Sequence, residues 1–503
     1  MGDFSKKISN FAYEKHINIH TMKQTKIVAS ISDRRCDVEF LRKLFFAGMN
    51  VVRMNTAHAT PDGIRNIIKN VRTVSPHIAL MIDTKGPEVR TTGCAEPIEY
   101  KTGDVVKIFG RPGMDSSHDI VNVSYIDFAK DVKVGDHVLF DDGELDMLVI
   151  ENDGPMLVAQ VQNDGVLGAH KSVNVPGEHI ALPAITQKDH DNILLAIEED
   201  IDFIAHSFVR SADDVLAIQK ILDEHNSDIK IISKIENQEG VDNIDEIIDA
   251  SYGIMIARGD LGIEVPIEQI PGIQRQIIRK CVMKKKPVIV ATQMLHTMIK
   301  NPRPTRAEVT DIANAIYSYT DALMLSGETA SGKYPLEAVQ TMAAIAEQAE
   351  KDRSALGDYD VPMNDKCSQR EFLAHAAIEA TKKLGVAGII TDSLTGETVR
   401  HLAAFRGPNP ILAICYKDKT QRWLNLSFGV IPVHQKEHAP AAYMFTAALR
   451  MLRQKGYIGS DDKIAYLSGS FGLGNPTGTT FLEINKVSQV FDKSYEFHLP
   501  NKE

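Results

Sequence analysis

Short apolar runs rich in β-branched residues alternate with amphipathic segments from Thr25 to about residue 350. Such runs predict buried parallel strands, and the segments between them have the apolar spacing of helices that pack on a sheet. Helix signals support this: Gly48 ends the first segment, and Thr305 with Glu308 forms a capping box. The predicted strands are Lys26–Ile31, Asn50–Asn55, Ala79–Asp83, Phe203–Val209, Lys230–Glu236, Gly253–Ala257, Pro287–Thr292 and Ala322–Leu325. Eight such units indicate an α/β fold, the (β/α)₈ TIM barrel, whose catalytic groups lie at the carboxyl ends of the strands.

The alternation is interrupted after the third strand and ends near residue 350. Residues 92–184 contain β-type runs separated by turn signals, which predicts a small inserted β-barrel domain. This insertion is placed to close over substrates as a lid; the alternative is a spacer without a part in the reaction. We therefore assign residues 25–91 and 185–350 to the barrel, 1–24 to an N-terminal extension, 351–366 to a linker, and 367–503 to a C-terminal α/β domain.

Lys234 and Glu236 stand two residues apart at the end of the fifth predicted strand. Because side chains alternate along a strand, both point to the same face, which Ile232 shares. Burying either charge is costly unless a partner compensates it. One interpretation is a structural ion pair. The other is an active site, in which Lys234 holds an anion and Glu236 holds a divalent metal.

Polar residues at other strand ends favour the active site. Asp260 follows the sixth strand, and its carboxylate together with that of Glu236 suffices to hold one hard cation. Lys234 beside that cation would face a phosphoryl group, which suits phosphoryl transfer or enolate chemistry. Six of the eight ends carry such residues: Arg53 and Asn55, Asp83–Lys85, Lys234 and Glu236, Arg258 and Asp260, Thr292 and Gln293, and Ser326–Glu328.

Composition excludes several classes of protein. With 24% charged and 43% hydrophobic residues the chain is of globular type, and no apolar run approaches a membrane span of about 20 residues. The net charge of −11 argues against general nucleic-acid binding, which needs a basic surface. Five cysteines without CxxC spacing indicate neither a zinc site nor a disulfide framework. Because the N-terminus has no signal-peptide core, we expect a cytoplasmic protein.

Two loops of the C-terminal domain are candidates for ligand binding. The domain is predicted from the strands Gly388–Thr391, Ile411–Ile414, Lys463–Leu467 and Phe481–Val487. The turn from Ser393 to Thr398 follows the first strand and opens a helix, where hydroxyl and N–H groups are suited to a phosphate. The glycine-rich loop from Ser468 to Gly478 is placed to fold over it. Both loops also have a plainer interpretation as ordinary turns.

Taken together, these segments resemble the motifs of pyruvate kinase. Seven motifs match in order: residues 53–58 (RMNTAH), 83–90 (DTKGPEVR), 232–240 (ISKIENQEG), 256–262 (IARGDLG), 291–295 (ATQML), 302–308 (PRPTRAE) and 324–330 (MLSGETA). The resemblance runs from about Thr25 to Glu347 and more weakly to the C-terminus. It implies transfer of the phosphoryl group of phosphoenolpyruvate to ADP, which gives pyruvate and ATP as the final step of glycolysis.

The resemblance assigns the substrate contacts. Glu236 and Asp260 would hold Mg²⁺ or Mn²⁺. The N–H groups of Gly259 and Asp260 and the hydroxyl of Thr292 would bind the substrate carboxylate.

It assigns the charge and proton chemistry as well. Lys234 would neutralise the phosphoryl group and the enolate oxygen left behind, and Arg53 would hold the phosphoryl group from the other side. Thr292 and Ser326 would belong to a water-linked proton path to the enolate. No single proton donor is assigned.

Family members commonly need a monovalent cation. By similarity Asn55, Asp83 and Thr84 would be ligands of K⁺, whereas Ala57 stands where the family has a serine ligand. Glu88 occupies a position whose acidic character accompanies K⁺ dependence in the family. We therefore expect weak activation by K⁺.

The remaining assignments concern nucleotide and effector. His58, Lys171, Asp142 and Arg90 match positions near ADP. In the regulatory C-terminal domain, Ser393, Thr395 and Thr398 would hold the phosphate of an effector, and a homotetramer is expected by resemblance.

Two rival functions remain at this point. Barrels that bind phosphoenolpyruvate or pyruvate also make or break C–C bonds through a metal enolate. A non-catalytic regulatory paralogue is the other rival, but it would be expected to lose Lys234, Glu236, Asp260 or Thr292, and all four are present.

Overall fold

The structure, a computed structural model, describes residues 23–356, 361–436, 441–469 and 479–492. Eight parallel strands close into a barrel in which neighbours in sequence are neighbours in space, and the eighth pairs with the first. These strands are Lys26–Ser30, Val51–Asn55, Ala79–Asp83, Phe203–His206, Lys230–Ile235, Gly253–Ala257, Val288–Ala291 and Ala322–Leu325. The predicted (β/α)₈ barrel is thereby confirmed.

Strand alternation divides the barrel's apolar residues between two sides. Ile232 lies in the cluster that fills the barrel interior, whereas Ile231 and Ile235 pack against the outer helices. The outer layer consists of Val38–Ala47, Pro61–Val74, Gln187–Glu198, Ala212–Glu224, Ile244–Ala250, Ile270–Met283, Arg306–Tyr317 and Pro335–Leu356. Short helices at the strand ends or beside them are Gln238–Asp242, Arg258–Glu264, Ile267–Gln269, His296–Ile299 and Gly327–Ala330. Among the described helices none is long and apolar enough to cross a membrane.

The insertion is a strongly curved sheet around its own apolar core. Its strands, in spatial order, are Val89–Arg90, Ser172–Asn174, His137–Phe140, Leu145–Asn152, Leu157–Val161, Val105–Gly110 and Ile120–Val123. A bridge between Thr91 and Val123 joins the two ends of this order, which makes the sheet a partial barrel. Ile98–Tyr100 pairs separately with Gly165–Leu167, and Phe128–Asp131 is a short helix. Because Val89 and Arg90 already pair in this sheet, the insertion begins before residue 92.

The C-terminal domain is a five-stranded sheet covered by helices. The spatial order of its strands is Val430–His434, Ile411–Cys415, Gly388–Ser393, Lys463–Gly469 and Thr479–Lys486. Its helices are Gln369–Lys383, Glu397–Ala404, Asp418–Leu424, Ala441–Gln454 and Val487–Asp492. The strand Val430–His434 has no counterpart among the predicted strands, because Pro432 disfavours a strand interior. Proline is tolerated here since the strand lies at the edge of the sheet.

The C-terminal domain closes the amino-terminal mouth of the barrel. Trp423 and Leu426 join the apolar cluster inside the barrel, and Arg422 binds Asp202 at 2.6 Å just before the fourth strand. The linker expected at 351–366 differs from the structure, because Pro335–Leu356 remains helical through residue 356. Arg353 explains the continuation: it is buried, and its guanidinium lies over the ring of Phe428.

Candidate active site

Five buried residues at the carboxyl end of the barrel form what we call the Lys234 cluster: Arg53, Asp83, Ser207, Lys234 and Glu236. The ammonium of Lys234 lies 2.9 Å from the Glu236 carboxylate, 3.2 Å from Asp83 and 2.7 Å from the Ser207 hydroxyl. Strand alternation puts Lys234 and Glu236 on one face, as predicted, and parallel strands bring Asp83 to the same rim. The geometry therefore unites residues that are about 150 positions apart in the chain.

Arg53 completes the cluster from the second strand. Its Nε donates to Asp83 at 2.6 Å, and its Nη1 donates to the Ser30 hydroxyl at 2.8 Å. Arg53 and Lys234 thus share one carboxylate. Two cations are held side by side, which favours the binding of an anion.

Charge coupling shifts the ionisation of the cluster. Burial alone would raise the pKa of Asp83, but Arg53 and Lys234 outweigh burial and hold the pKa below its usual range. Burial lowers the pKa of Lys234, yet the carboxylates of Asp83 and Glu236 raise it above the ordinary value. Lys234 is therefore a cation at neutral pH, which is the state that binds a phosphoryl group.

Glu236 and Asp260 are the candidate metal ligands. The positive charge of Lys234 does not fully offset the cost of burying these two carboxylates. Burial raises the pKa of Glu236 to about 7 against the opposing effect of Lys234, and burial raises that of Asp260 as well. A divalent cation between the two carboxylates would compensate them. The described residues contain no group of three or more acidic, histidine or cysteine side chains that would form a complete site. Two carboxylates fit Mg²⁺, which keeps water and substrate oxygens as its other ligands.

The predicted carboxylate-binding residues come together on neighbouring strand ends. The N–H of Gly259 donates to the Thr292 hydroxyl at 2.7 Å, and that hydroxyl donates to Ala291 O at 2.7 Å. Thr292 adopts a left-handed backbone with φ of 67°. This conformation turns its side chain towards the helix Arg258–Glu264, which follows the sixth strand.

Ser326, the other predicted member of the proton path, is held by its backbone. Its N–H donates to the buried Glu328 carboxylate at 2.7 Å, and the same carboxylate accepts from Leu295 N at 3.2 Å. Glu328 therefore fixes the ends of the seventh and eighth strands relative to each other.

Of the candidate K⁺ ligands, Asp83 belongs to the Lys234 cluster, and Asn55 and Thr84 lie beside it. Asn55 and Asp83 are register partners on adjacent strands. The side-chain oxygen of Asn55 accepts from the N–H of Ala57 at 2.9 Å, and the carbonyl oxygen of Thr84 accepts from Ser207 at 2.7 Å. Ala57 has no side-chain oxygen to add to this set.

A cleft of about 450 Å³ separates the barrel rim from the insertion. Arg90, Asp142 and Asp260 line it, whereas His58 and Lys171 are outside its lining. Lys171 instead pairs with Asp141 at 2.7 Å. Lys234 is outside this lining as well, and 8% of its surface is exposed. The nucleotide residues predicted from the sequence are therefore only partly brought together.

The predicted effector residues occupy one turn of the C-terminal domain. Ser393 is buried and its hydroxyl accepts from Gly396 N at 2.8 Å, whereas Thr395 is exposed and Thr398 is half-buried. The turn rests on the helix Asp418–Leu424, since Leu394 O accepts from the Thr420 hydroxyl at 2.7 Å. In the glycine-rich loop predicted to cover this turn, residues 470–478 lie outside the described part of the chain.

Sequence reasoning missed the corner after the fourth strand. Ser207 binds Lys234, and the N–H of Phe208 donates to Glu236 at 2.7 Å. Phe208 has a left-handed backbone with φ of 56°, which aims this N–H at the carboxylate. The predicted strand Phe203–Val209 extends past this corner, whereas the observed strand ends at His206, so the sequence prediction did not place Ser207 at a strand end, where catalytic groups collect.

The chain is similar to known proteins over most of its length. Residues 22–339 match the family model described as "Pyruvate kinase, barrel domain", and residues 371–484 match "Pyruvate kinase, alpha/beta domain". A pyruvate kinase of Borreliella burgdorferi is 48% identical over 471 residues, which span 93% of this chain and 98% of that protein. One of Bacillus licheniformis is 42% identical over 94% of this chain and 82% of its own length. A crystal structure of a pyruvate kinase from Cryptosporidium parvum superposes with a TM-score of 0.87 at 36% identity, covering 93% of this chain and 97% of that one.

Proposed function

Because the chain belongs to the pyruvate kinase family, we propose that the Lys234 cluster and Asp260 carry out the family's reaction. The chain is a phosphotransferase that moves the phosphoryl group of phosphoenolpyruvate to ADP and gives pyruvate and ATP, the final step of glycolysis. The supporting observation is the buried ammonium of Lys234, 2.9 Å from Glu236 at the barrel rim. A preorganised charge there stabilises negative charge that develops in the transition state.

Each residue has a distinct role in this proposal. Lys234 and Arg53 bind the phosphoryl group from two sides, and Lys234 also faces the enolate oxygen. The Gly259 N–H and the Thr292 hydroxyl, which are hydrogen-bonded to each other in the structure, bind the substrate carboxylate instead. Mg²⁺, held by Glu236 and Asp260, supplies neutralisation of phosphate charge when bound.

Protonation of the enolate completes the reaction. Thr292 and Ser326 stand on adjacent strand ends, where their hydroxyls order water over the enolate carbon. A hydroxyl of ordinary pKa is a poor acid, so these residues relay a proton through water and are not its source. The bond from the Thr292 hydroxyl to the Ala291 carbonyl and the bond from the Ser326 N–H to the Glu328 carboxylate keep this path in place.

The family generally depends on magnesium and potassium, and we propose that K⁺ binds at Asn55, Asp83 and the Thr84 carbonyl of this chain. Ala57 removes one side-chain ligand. Coupled pyruvate formation from phosphoenolpyruvate and ADP with Mg²⁺ should rise when KCl replaces tetramethylammonium chloride at fixed ionic strength. Ala57→Ser restores the missing oxygen, so the half-saturating K⁺ concentration should fall with maximal turnover unchanged.

This assay also separates the rival functions. Rates that do not change with the K⁺ concentration would contradict the proposed K⁺ site. ADP-independent consumption of phosphoenolpyruvate would favour C–C bond chemistry, and absence of any turnover would favour a non-catalytic paralogue.

The insertion is the proposed lid over the nucleotide. Asn174 of the insertion donates to Glu264 of the barrel at 2.7 Å, and His179 pairs with Glu239 at 2.8 Å, so these contacts tie the insertion to the rim. Asp142 and Arg90 face the cleft between them. His58 and Lys171 join the nucleotide site in this proposal when the insertion closes.

Regulation and assembly follow the family pattern in this proposal. Ser393, Thr395 and Thr398 bind the phosphate of an effector at the start of the helix Glu397–Ala404. A homotetramer and a cytoplasmic location stay predictions from the sequence.

A further inference from the structure

All three N–H groups of the Lys234 ammonium have a protein acceptor in the structure. They are the carboxylates of Asp83 and Glu236 and the hydroxyl of Ser207. An ammonium has three donors and no acceptor. Lys234 must therefore release at least one partner before it binds a phosphoryl oxygen.

The charges of the three partners decide which are released. Asp83 and Glu236 are carboxylates that cations compete for, and both are assigned to cation sites in the proposed function. Ser207 is uncharged and is the weakest ligand for a cation of the three. When cations draw the two carboxylates away, Ser207 is the acceptor that Lys234 keeps.

The surroundings of Ser207 fix its hydroxyl in this role. Ser207 is 1% exposed, and its hydroxyl donates to the carbonyl of Thr84 at 2.7 Å, so a lone pair faces Lys234. Its N–H donates to the Thr84 hydroxyl at 3.0 Å. A side chain at Gly86 would come within 2.8 Å of the Ser207 Cβ, so the loop after the third strand packs directly on this corner.

We propose that Ser207 is a positioning residue for the reaction: it anchors the Lys234 ammonium while cations occupy the neighbouring carboxylates. This inference rests on the proposed function, since Ser207 acts through Lys234. The same corner orients Glu236 through the Phe208 N–H, so the fourth strand positions both the ammonium and a metal ligand.

Ser207→Ala tests the proposal, with Ser233→Ala as the matched control. Ser233 is also fully buried and lies next to Lys234, but its side chain faces away from the ammonium. Its alanine variant likewise loses a hydroxyl hydrogen bond, in this case to Ser251. Ser207→Ala should lower turnover about 10- to 100-fold, as expected for a lost hydrogen bond to a charged group. The KM for ADP should stay within about twofold, since nucleotide binding is not touched. Ser233→Ala should turn over normally.

A double-mutant cycle separates positioning from a general structural role. Equilibrium binding of phosphoenolpyruvate, measured by calorimetry with Mg²⁺, should weaken in Ser207→Ala and in Lys234→Met. In Lys234→Met the added Ser207→Ala should have no further effect, because the ammonium it anchors is absent. Ser207→Cys, which keeps the volume and offers only a weak acceptor, gives the same readout if the alanine variant does not fold.

The outcomes distinguish this inference from the proposed function. Normal turnover in Lys234→Met would overturn the proposed function. Loss of turnover in Lys234→Met with normal turnover in Ser207→Ala would overturn only the role of Ser207. An equal loss of binding from Ser207→Ala in the presence and absence of Lys234 would also overturn it.

Discussion

Lys234→Met is expected to lower turnover by about 10³-fold or more, because it removes a preorganised charge from the transition state. Methionine keeps the length and apolar stem of lysine, so the loss is one of charge and hydrogen bonding. Without the ammonium, Asp83 and Glu236 lose a shared counter-charge that lies within 3.2 Å of each. The measurement is the coupled pyruvate assay at saturating phosphoenolpyruvate, ADP and Mg²⁺.

Lys230→Met is the matched control on the same strand. Lys230 lies at the opposite end of the strand, with its ammonium 4.3 Å from the ring centre of Trp423. This variant should turn over at a rate close to that of the unaltered chain. Equal rates in Lys230→Met and Lys234→Met would show that the charge of Lys234 has no special part in the chemistry.

Arg406→Ala is expected to destabilise the protein by about 3–5 kcal/mol, the cost of leaving a buried charge without its partner. Arg406 is 1% exposed, and its guanidinium binds Asp321 at 2.5 Å and the carbonyl of Tyr319 at 2.8 Å. Asp321 precedes the eighth barrel strand and also accepts from the N–H of Phe428 at 3.0 Å. The variant therefore loses a contact between the C-terminal domain and the barrel. The midpoint of urea unfolding at pH 7 measures the effect.

Two further variants check the cause of this loss. Arg65→Ala removes an arginine whose ion pairs are largely exposed, so it should cost at most about 1 kcal/mol. Adding Asp321→Asn to Arg406→Ala removes the uncompensated charge and should recover part of the stability. If Arg406→Ala unfolds at the same urea concentration as the unaltered chain, the ion pair between Arg406 and Asp321 does not stabilise the protein.

The barrel and the main site residues follow from the sequence because they depend on local rules. Strand alternation places Lys234 and Glu236 on one face, and the parallel arrangement brings Asp83 to the same rim whatever the loop between them does. The bond from Arg53 to Asp83 also needs only two adjacent strands. These contacts are therefore fixed once the strands and their order are known.

The contacts that sequence reasoning missed depend on unusual backbone angles and distant partners. Phe208 adopts a left-handed conformation that bulky residues rarely take, so no local pattern predicts that its N–H meets Glu236. Ser207 is one of many serines near strand ends, and its importance arises only from the ammonium of a neighbouring strand. The continuation of Pro335–Leu356 likewise depends on a tertiary contact, the packing of Arg353 on Phe428.

The central claim is that Glu236 and Asp260 hold a divalent cation beside the Lys234 ammonium. Its most direct measurement is binding of Mn²⁺, followed by electron paramagnetic resonance in the presence of phosphoenolpyruvate. Glu236→Gln and Asp260→Asn should each weaken Mn²⁺ by at least about 100-fold, the upper end of losses for outer-shell partners. Glu264→Gln, which alters a half-buried carboxylate on the same helix as Asp260, should bind Mn²⁺ nearly as the unaltered chain does. Unchanged Mn²⁺ affinity in Glu236→Gln and Asp260→Asn would contradict the claim.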